Sequence, residues 1–243
     1  MTKVALHRIG ASCIITSIKK PLGTFHLNKK TVLIVEDHPL YRQALSNLIK
    51  VSFPDVELQS SSSAEEALSV LSKKSKKILG DWIVLIDPSL PGLSGLSAVR
   101  ALVEAAPSSN LVIISATDDK LQVSACIGSG AIAFISKSTP PDRMTEFLGR
   151  LLREKLAHPE LITREGNSNI ANLKPIRLTP RQIEVLLLIF QGKSNRDIAQ
   201  ALNIIEATAK AHVSAIFREL NVVNRTQALL AAQKLGFRPT SIN

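Results

Sequence analysis

Several residue types are scarce in this chain of 243 residues, and each shortage excludes a class of protein. Its two cysteines, Cys13 and Cys126, can form neither a disulfide framework nor the cysteine spacing of a metal site. No apolar run reaches the roughly 18 residues that a membrane-spanning helix needs. The apolar stretch near the N-terminus is short and has no clear small-residue cleavage site after it. These absences predict a cytoplasmic protein that does not associate with a membrane.

Charge is distributed unevenly along the chain. Residues 1–30 carry six basic and no acidic side chains, whereas residues 31–152 have a net charge of −2. Residues 174–243 hold ten basic and four acidic side chains, which gives this segment a net charge of +6. A basic terminal segment favours a polyanionic partner, most often nucleic acid. Charge alone leaves an ordinary basic surface equally open.

Short apolar strands alternate with helical segments five times between residues 31 and 155. This alternation predicts a parallel sheet of five strands with helices on both faces, which is a doubly wound α/β domain. Residues 1–30 show no sustained periodicity and predict a loosely ordered extension. Residues 156–175 mix proline, glycine, asparagine and charge, and are interpreted as a linker. Residues 176–240 read as four short helices, which predict a second, small all-α domain.

Polar side chains follow the predicted strands at the points where they end. Glu36 and Asp37 end the first strand, Asp87 the third and Ser115 the fourth, and Lys137 follows the fifth. Because these ends share one edge of a parallel sheet, the side chains should converge. Clustered carboxylates repel one another unless a cation lies among them, and an all-oxygen site suits Mg²⁺. We therefore expect Asp87 to accept a phosphoryl group that Ser115 and Lys137 stabilise, although any one of these residues alone could be a solvated strand cap.

These residues carry a family resemblance. Residues 31–155 resemble a response-regulator receiver domain, which has a flavodoxin-like fold, through the motifs VEDHP, DPSLPGLSG, ISA and GAIAFISK. The resemblance implies that a sensor histidine kinase phosphorylates Asp87. It also implies that Asp37, Asp87 and the backbone carbonyl of Ser89 bind Mg²⁺, with Glu36 acting through water. Phe134 would be the aromatic residue that switches with Ser115, unless it is plain core.

One residue departs from the receiver pattern. Pro88 follows Asp87, where a residue other than proline is commoner in the family. Proline fixes φ and removes an N–H, and it could therefore alter the geometry or the lifetime of an aspartyl phosphate.

The basic C-terminal segment has the pattern of a helix-turn-helix domain, because a short turn leads into a helix with a polar, basic face. Its motifs LTPRQIEVL, GKSNRDIA, TAKAHVSAIFREL and RTQA resemble the LuxR-type DNA-binding domain. By this resemblance three residues face the bases: Lys210, Ala211 and Ser214. Four residues are candidates for phosphate contacts: Thr208, Lys193, Asn195 and Arg218. Ile205 stands where the family usually has a serine cap, and the last helix, about 225–235, would be a dimer face or simple core.

Together the two domains resemble the NarL/FixJ group of two-component response regulators. The resemblance implies a transcription factor, not an enzyme, that binds double-stranded DNA as a homodimer. In that group the unphosphorylated receiver covers the recognition helix, and phosphorylation releases it. An orphan regulator that binds DNA independently of phosphate is the alternative. A Mg²⁺-dependent phosphatase would need a second carboxylate where this chain has Ser89. A LuxR-type quorum sensor would need a ligand-binding domain, which is usually rich in aromatic residues. This chain has one tryptophan and one tyrosine.

Overall fold

A computed structural model of the chain describes residues 30–74, 79–117, 119–154, 156, 158–163, 165–169 and 174–237. The predicted N-terminal extension lies outside these residues, apart from Lys30. The strands are β1 (Thr31–Val35), β2 (Glu57–Ser61), β3 (Trp82–Ile86), β4 (Asn110–Ser115), β5 (Ala133–Ser136), β6 (Glu160–Ile162) and β7 (Asn167–Asn169). The helices beside them are α1 (Pro39–Ser52), α2 (Ala64–Ser72), α3 (Gly95–Ala105), α4 (Lys120–Gly128) and α5 (Pro141–Arg153).

The strands form one sheet in the order β2-β1-β3-β4-β5-β6-β7. The first five strands are parallel, which confirms the predicted doubly wound domain and its flavodoxin-like order. The chain order reverses between β1 and β3. Crevices at such a reversal, outside the carboxyl ends of the strands, are where α/β proteins place their functional sites.

Two apolar layers hold the helices on opposite faces of this sheet. Along β3, Val84 and Ile86 belong to the cluster that contains α2, α3 and α4, whereas Ile83 and Leu85 belong to the cluster that contains α1 and α5. All five residues of β3 are buried. This two-sided burial explains why the strand is a continuous apolar run and does not alternate.

Two short strands, β6 and β7, lie within the segment that the sequence predicts to be a linker. β6 pairs parallel to β5, and β7 pairs antiparallel to β6. The Arg150 guanidinium donates to both carboxylate oxygens of Glu160, at 2.9 and 2.6 Å, and the Thr139 hydroxyl donates to the backbone oxygen of Ile162 at 3.2 Å. These tertiary contacts extend the predicted five strands to seven, and strands of three residues are too short to show a periodic signal.

Within residues 174–237, the C-terminal domain consists of four helices: α6 (Pro180–Phe190), α7 (Asn195–Ala201), α8 (Glu206–Glu219) and α9 (Arg225–Lys234). Thr179 and Gln182 form the predicted capping box at the start of α6, and Ser194 caps α7 as predicted. Gly192 follows α6 with a φ of +82°, a conformation that glycine adopts without steric cost. Among the described residues, no helix combines the length and apolarity required to cross a membrane.

The first turn of α8 provides a test of helix capping. Ile205 is the N-cap residue, its side chain is 71% exposed, and it makes no capping hydrogen bond. A serine there would accept a hydrogen bond from one of the unpaired N–H groups of the first turn. Ile205→Ser is therefore expected to raise the free energy of unfolding by about 0.5–2 kcal/mol, measured by urea and thermal melts.

Ile204→Ser is the matched control, because Ile204 packs against the apolar core and its replacement should destabilise the protein. A lower melting temperature for Ile205→Ser would show that the exposed side chain contributes more to stability than a cap does.

Candidate functional site

The carboxylates at the sheet edge are placed by the ends of two neighbouring strands. The Glu36 N–H donates to the Ser61 carbonyl at 3.1 Å, and the Asp87 N–H donates to the Val35 carbonyl at 3.0 Å. Each of these acidic residues therefore lies at the end of its strand, where the ladder of backbone hydrogen bonds stops. Glu36 is 2% exposed and Asp87 is 5% exposed. Two carboxylates buried this deeply need a compensating cation.

Lys137 supplies that cation from the end of β5. Its Nζ lies 2.7 Å from Asp87 Oδ2 and 2.6 Å from Glu36 Oε2. Burial lowers the pKa of Lys137, but the hydrogen bonds and charges of Asp87 and Glu36 raise it by more, so the net pKa lies above its ordinary value. The ammonium is therefore charged at physiological pH, and it joins the ends of β1, β3 and β5.

The loop after Asp87 is closed by hydrogen bonds at both of its ends. The Ser89 N–H donates to Asp87 Oδ1 at 2.7 Å, and the Gly95 N–H donates to the Pro88 carbonyl at 2.6 Å. Gly95 has a φ of +60°, which a side chain would disfavour. The hydrogen bond from Ser89 thus orients the Asp87 carboxylate, and the one from Gly95 closes the loop beside the strand end.

Glu65 on α2 ties the same loop to the helix layer. Its Oε1 accepts a hydrogen bond of 2.7 Å from the Leu93 N–H. Burial raises the pKa of Glu65, but this hydrogen bond and others lower it by more, so the carboxyl ionises below its ordinary pKa. An ionised Glu65 is therefore available to hold the loop at neutral pH.

The acidic pair after β1 is also fixed through its backbone. The Arg42 guanidinium donates to the carbonyls of Glu36 and Asp37, and the His38 N–H donates to Glu36 Oε1 at 3.0 Å. Ligand atoms of Glu36, Asp37 and His38 lie within 4.8 Å of one another. The carboxylate oxygens of this set match the hard oxygen ligands that Mg²⁺ prefers.

Ser115 and Phe134 lie on neighbouring strands of the same sheet. The Ser115 hydroxyl donates to Gln122 Oε1 at 3.1 Å and accepts from the Thr117 N–H at 3.4 Å. Phe134 is fully buried in the apolar cluster that also contains α2, α3 and α4. The structure therefore brings Glu36, Asp87 and Lys137 into direct contact, whereas the Ser115 hydroxyl is engaged by Gln122.

Three residues at this site were missed by sequence reasoning: Tyr41, Arg42 and Gln122. The Tyr41 ring lies 4.6 Å from Lys137 Nζ, measured to the ring centroid. Tyr41 and Arg42 lie one helical turn beyond the acidic pair, a position from which side chains can fold back towards the strand end. That spacing is the signal that could have found them, whereas nothing in the sequence links Gln122 with Ser115.

The predicted DNA-facing residues share one exposed side of α8. Lys210, Ala211, Ser214 and Arg218 are all exposed, and Lys193 before α7 is exposed too. Thr208 and Asn195 are half-buried. Lys210 Nζ lies 2.9 Å from Glu206 Oε1 on the same helix. An exposed ion pair of this kind is weak and can exchange for a phosphate or a base.

Among the residues that the structure describes, none forms the expected cover over the recognition helix. The exposed face of α8 is open, and the sheet domain contacts the end of α9 instead. Lys234 Nζ lies 2.9 Å from Asp119 Oδ2, and Phe237, which is 3% exposed, joins the same apolar cluster as Leu96. Sequence patterns do not indicate this arrangement, because it depends on two surfaces that are remote in the chain.

Two glycines allow the backbones of the domains to approach closely at this contact. A Cβ on Gly95 would lie 2.8 Å from the Leu235 carbonyl oxygen. A Cβ on Gly236 would lie 3.2 Å from both Gly95 Cα and the Pro88 carbonyl oxygen. The end of α9 therefore rests directly on the loop that begins at Asp87.

Known proteins share both domains and their order. Residues 32–148 match the response regulator receiver domain family, and residues 177–232 match the luxR family of bacterial regulatory proteins. The glycerol metabolism activator of Pseudomonas putida is 38% identical over 216 residues, which cover 85% of this chain and 96% of that protein. The nitrate/nitrite response regulator protein NarP of Escherichia coli (strain K12) is 29% identical over 210 residues, which cover 84% of this chain and 95% of that protein.

A solved structure shows the same fold. RcsB from Salmonella enterica serovar Typhimurium, bound to promoter rprA in the presence of phosphomimetic BeF3-, has a TM-score of 0.58 at 18% identity. The match covers 85% of this chain and 99% of that chain. With an acidic pocket at the sheet edge, an exposed helix-turn-helix face and these relatives, the chain belongs to the NarL/FixJ-type response regulators, DNA-binding transcription regulators whose norm is phosphorylation of the receiver domain by a sensor kinase.

Proposed function

We propose that Asp87 is the phosphoacceptor of this regulator and that the contact of Lys137 with its carboxylate carries the assignment. A carboxylate oxygen of Asp87 attacks the phosphorus of the donor, and the bond from phosphorus to the donor's leaving group breaks. Lys137 already lies 2.7 Å from Asp87 Oδ2 and can pair with the arriving phosphoryl oxygens. The Ser89 N–H fixes Oδ1 and thereby orients the carboxylate.

The donor set of the pocket fits Mg²⁺. The residues that would hold it are Glu36, through water, Asp37, Asp87 and the backbone carbonyl of Ser89. Three carboxylates and one ammonium leave an excess of negative charge, which a divalent cation offsets. When bound, the cation neutralises charge on the phosphoryl oxygens during transfer.

Ser115 and Phe134 form the proposed switch. The Ser115 hydroxyl donates a hydrogen bond to Gln122 Oε1. It would turn to donate to an oxygen of a phosphoryl group on Asp87 instead. Because Ser115 is 1% exposed, this movement must repack its surroundings, which include the start of α4. Phe134, on the adjacent strand, would adjust to the new position of the hydroxyl.

The C-terminal domain, which we place at residues 176–240 after a receiver of residues 31–155, would read DNA in the cytoplasm as a homodimer. The exposed face of α8 supplies base contacts from Lys210, Ala211 and Ser214, in keeping with helix-turn-helix geometry. Phosphate contacts would come from the remaining candidates: Thr208, Lys193, Asn195 and Arg218. Leu230 on α9 is 56% exposed, and it supports dimerisation through that helix.

Phosphorylation would reach the DNA-binding domain through the end of α9. That end is held at two places. The first is the loop from Pro88 to Gly95, which starts beside the acceptor. The second is Asp119, which caps α4 four residues after Ser115 and pairs with Lys234. The first segment begins at the acceptor and the second follows the switch residue Ser115, so a phosphoryl group that moves both the loop and Ser115 would loosen both contacts together. The freed α9 would then be available to pair with a second copy.

The first test concerns the acceptor. Incubation of the full chain with acetyl phosphate and Mg²⁺ is expected to add one phosphoryl mass, because Glu36, Lys137 and Asp87 form a single charged cluster. Asp87→Asn should abolish the added mass in intact-protein mass spectrometry. Asp81→Asn is the matched control, since Asp81 lies at the other end of β3 and pairs with Lys30. Equal phosphorylation of Asp87→Asn and the native chain would refute the assignment.

The second test concerns DNA. Lys210→Ala should weaken operator binding by about 1–3 kcal/mol if the lysine contacts a base. Lys50→Ala removes the same charge from an exposed position on α1 and serves as the control. Both variants are compared in gel-shift titrations at fixed salt, because phosphate contacts make affinity salt-dependent. Equal affinities of the two variants would remove Lys210 from the interface.

The third test concerns the domain contact. Gly236→Ala would place a Cβ 3.2 Å from Gly95 Cα, and it should therefore separate the end of α9 from the acceptor loop. We expect the unphosphorylated variant to bind DNA at least about fivefold more tightly, the low end of typical allosteric coupling. Gly192→Ala is the control, because its φ of +82° imposes similar strain but no atom lies within 4 Å of the added carbon. If both variants bind alike, the contact does not restrain the regulator.

A further inference from the structure

We propose that Tyr41 is a positioning residue for phosphoryl transfer, because its ring holds the Lys137 ammonium over Asp87. The inference rests on the proposed phosphoacceptor role of Asp87. Lys137 Nζ lies 4.6 Å from the centroid of the Tyr41 ring while it contacts Glu36 and Asp87. The face of an aromatic ring attracts a cation within about 6 Å, so the ring is a third partner of the ammonium.

The ring contact differs from the two carboxylate contacts in one respect. Asp87 is the reacting group, so its oxygen changes partners when the phosphoryl group arrives. Glu36 belongs to the proposed metal site, so its charge is shared with the bound cation. Of these three partners, Tyr41 alone has neither role, and its contact with Lys137 can persist through the reaction.

A restraint on Lys137 is needed because of what lies beside it. Tyr41 and Lys137 both line an apolar groove of about 580 Å³ between α1 and the start of α5, together with Leu48 and Met144. A lysine side chain has a flexible four-carbon stem, and its ammonium prefers water to apolar surroundings. The groove is open to solvent, so without the ring the ammonium would gain orientations towards water that point away from Asp87.

Tyr41 acts in this role as a neutral ring. Burial, and then the charges of Glu36 and Asp87, raise the pKa of Tyr41 to about 12. The phenol therefore stays protonated at physiological pH and forms no ion pair with Lys137. A ring without the hydroxyl should consequently serve nearly as well, which separates positioning from acid–base chemistry.

Substitution of the ring tests the proposal in the full-length protein. Tyr41→Leu is expected to slow phosphorylation by acetyl phosphate by about 2- to 30-fold, the range that corresponds to a cation–π contact. Tyr41→Phe should keep a rate within about twofold of the native protein, since it keeps the ring. Leu48→Ala is the matched control, because it enlarges the same groove at a residue with no part in the charged cluster, and it should leave the rate unchanged.

Graded fluorination separates the electrostatic role from packing. Phenylalanine with zero to three ring fluorines at position 41 keeps its shape nearly constant while the negative charge of the ring face decreases. The logarithm of the phosphorylation rate should fall steadily with each fluorine. This series also decides the matter if Tyr41→Leu does not fold.

The two proposals fail separately. Phosphorylation of Asp87→Asn at the native rate would overturn the acceptor assignment itself. If Asp87 is the acceptor but the fluorinated series shows a constant rate, or Tyr41→Phe is as slow as Tyr41→Leu, the positioning role of Tyr41 is wrong and the acceptor assignment stands.

Discussion

The buried contact of the Lys137 ammonium with Asp87 and Glu36 is the interaction on which the remaining architecture of the site depends. Carboxylates at the ends of adjacent parallel strands would repel one another in a poorly hydrated crevice, and the free energy of such burial is unfavourable without a cation. Lys137 lies at the end of β5, two strands from β3, and its long side chain reaches back across the sheet edge. The reversal of strand order between β1 and β3 places Glu36 and Asp87 side by side, close enough for the Lys137 side chain to contact both.

The same pocket is linked to the DNA-binding domain by a short path. Asp87 is followed by a loop whose first carbonyl, on Pro88, is hydrogen-bonded to Gly95, and both of these residues meet Gly236 at the end of α9. Few covalent bonds therefore separate the carboxylate of Asp87, the proposed phosphoacceptor, from the domain contact. The end of the proposed dimerisation helix is thus held beside Asp87, while the face of α8 that is predicted to bind DNA stays exposed.

Much of this molecule is predictable from local pattern. The continuous apolar runs of β1 and β3 indicated a sheet buried on both faces, and the capping residues Thr179 and Ser194 marked helix starts correctly. The hairpin of β6 and β7 escaped prediction, since it depends on the ion pair of Arg150 with Glu160 and on pairing with the free edge of β5. Strands of three residues are too short to show a periodicity of their own, so only the partner strand reveals them.

The sequence by itself determined the order of the elements, the two domains and the convergence of acids, hydroxyl and lysine, because strand ends of a parallel sheet must share one edge. Only the tertiary structure decided which of these groups touch. It placed Lys137 against Glu36, hydrogen-bonded Ser115 to Gln122, placed the Tyr41 ring beside the ammonium, and packed the end of α9 on the loop after Asp87. Contacts of this kind depend on distances between residues that are remote in the chain, and a one-dimensional pattern does not contain those distances.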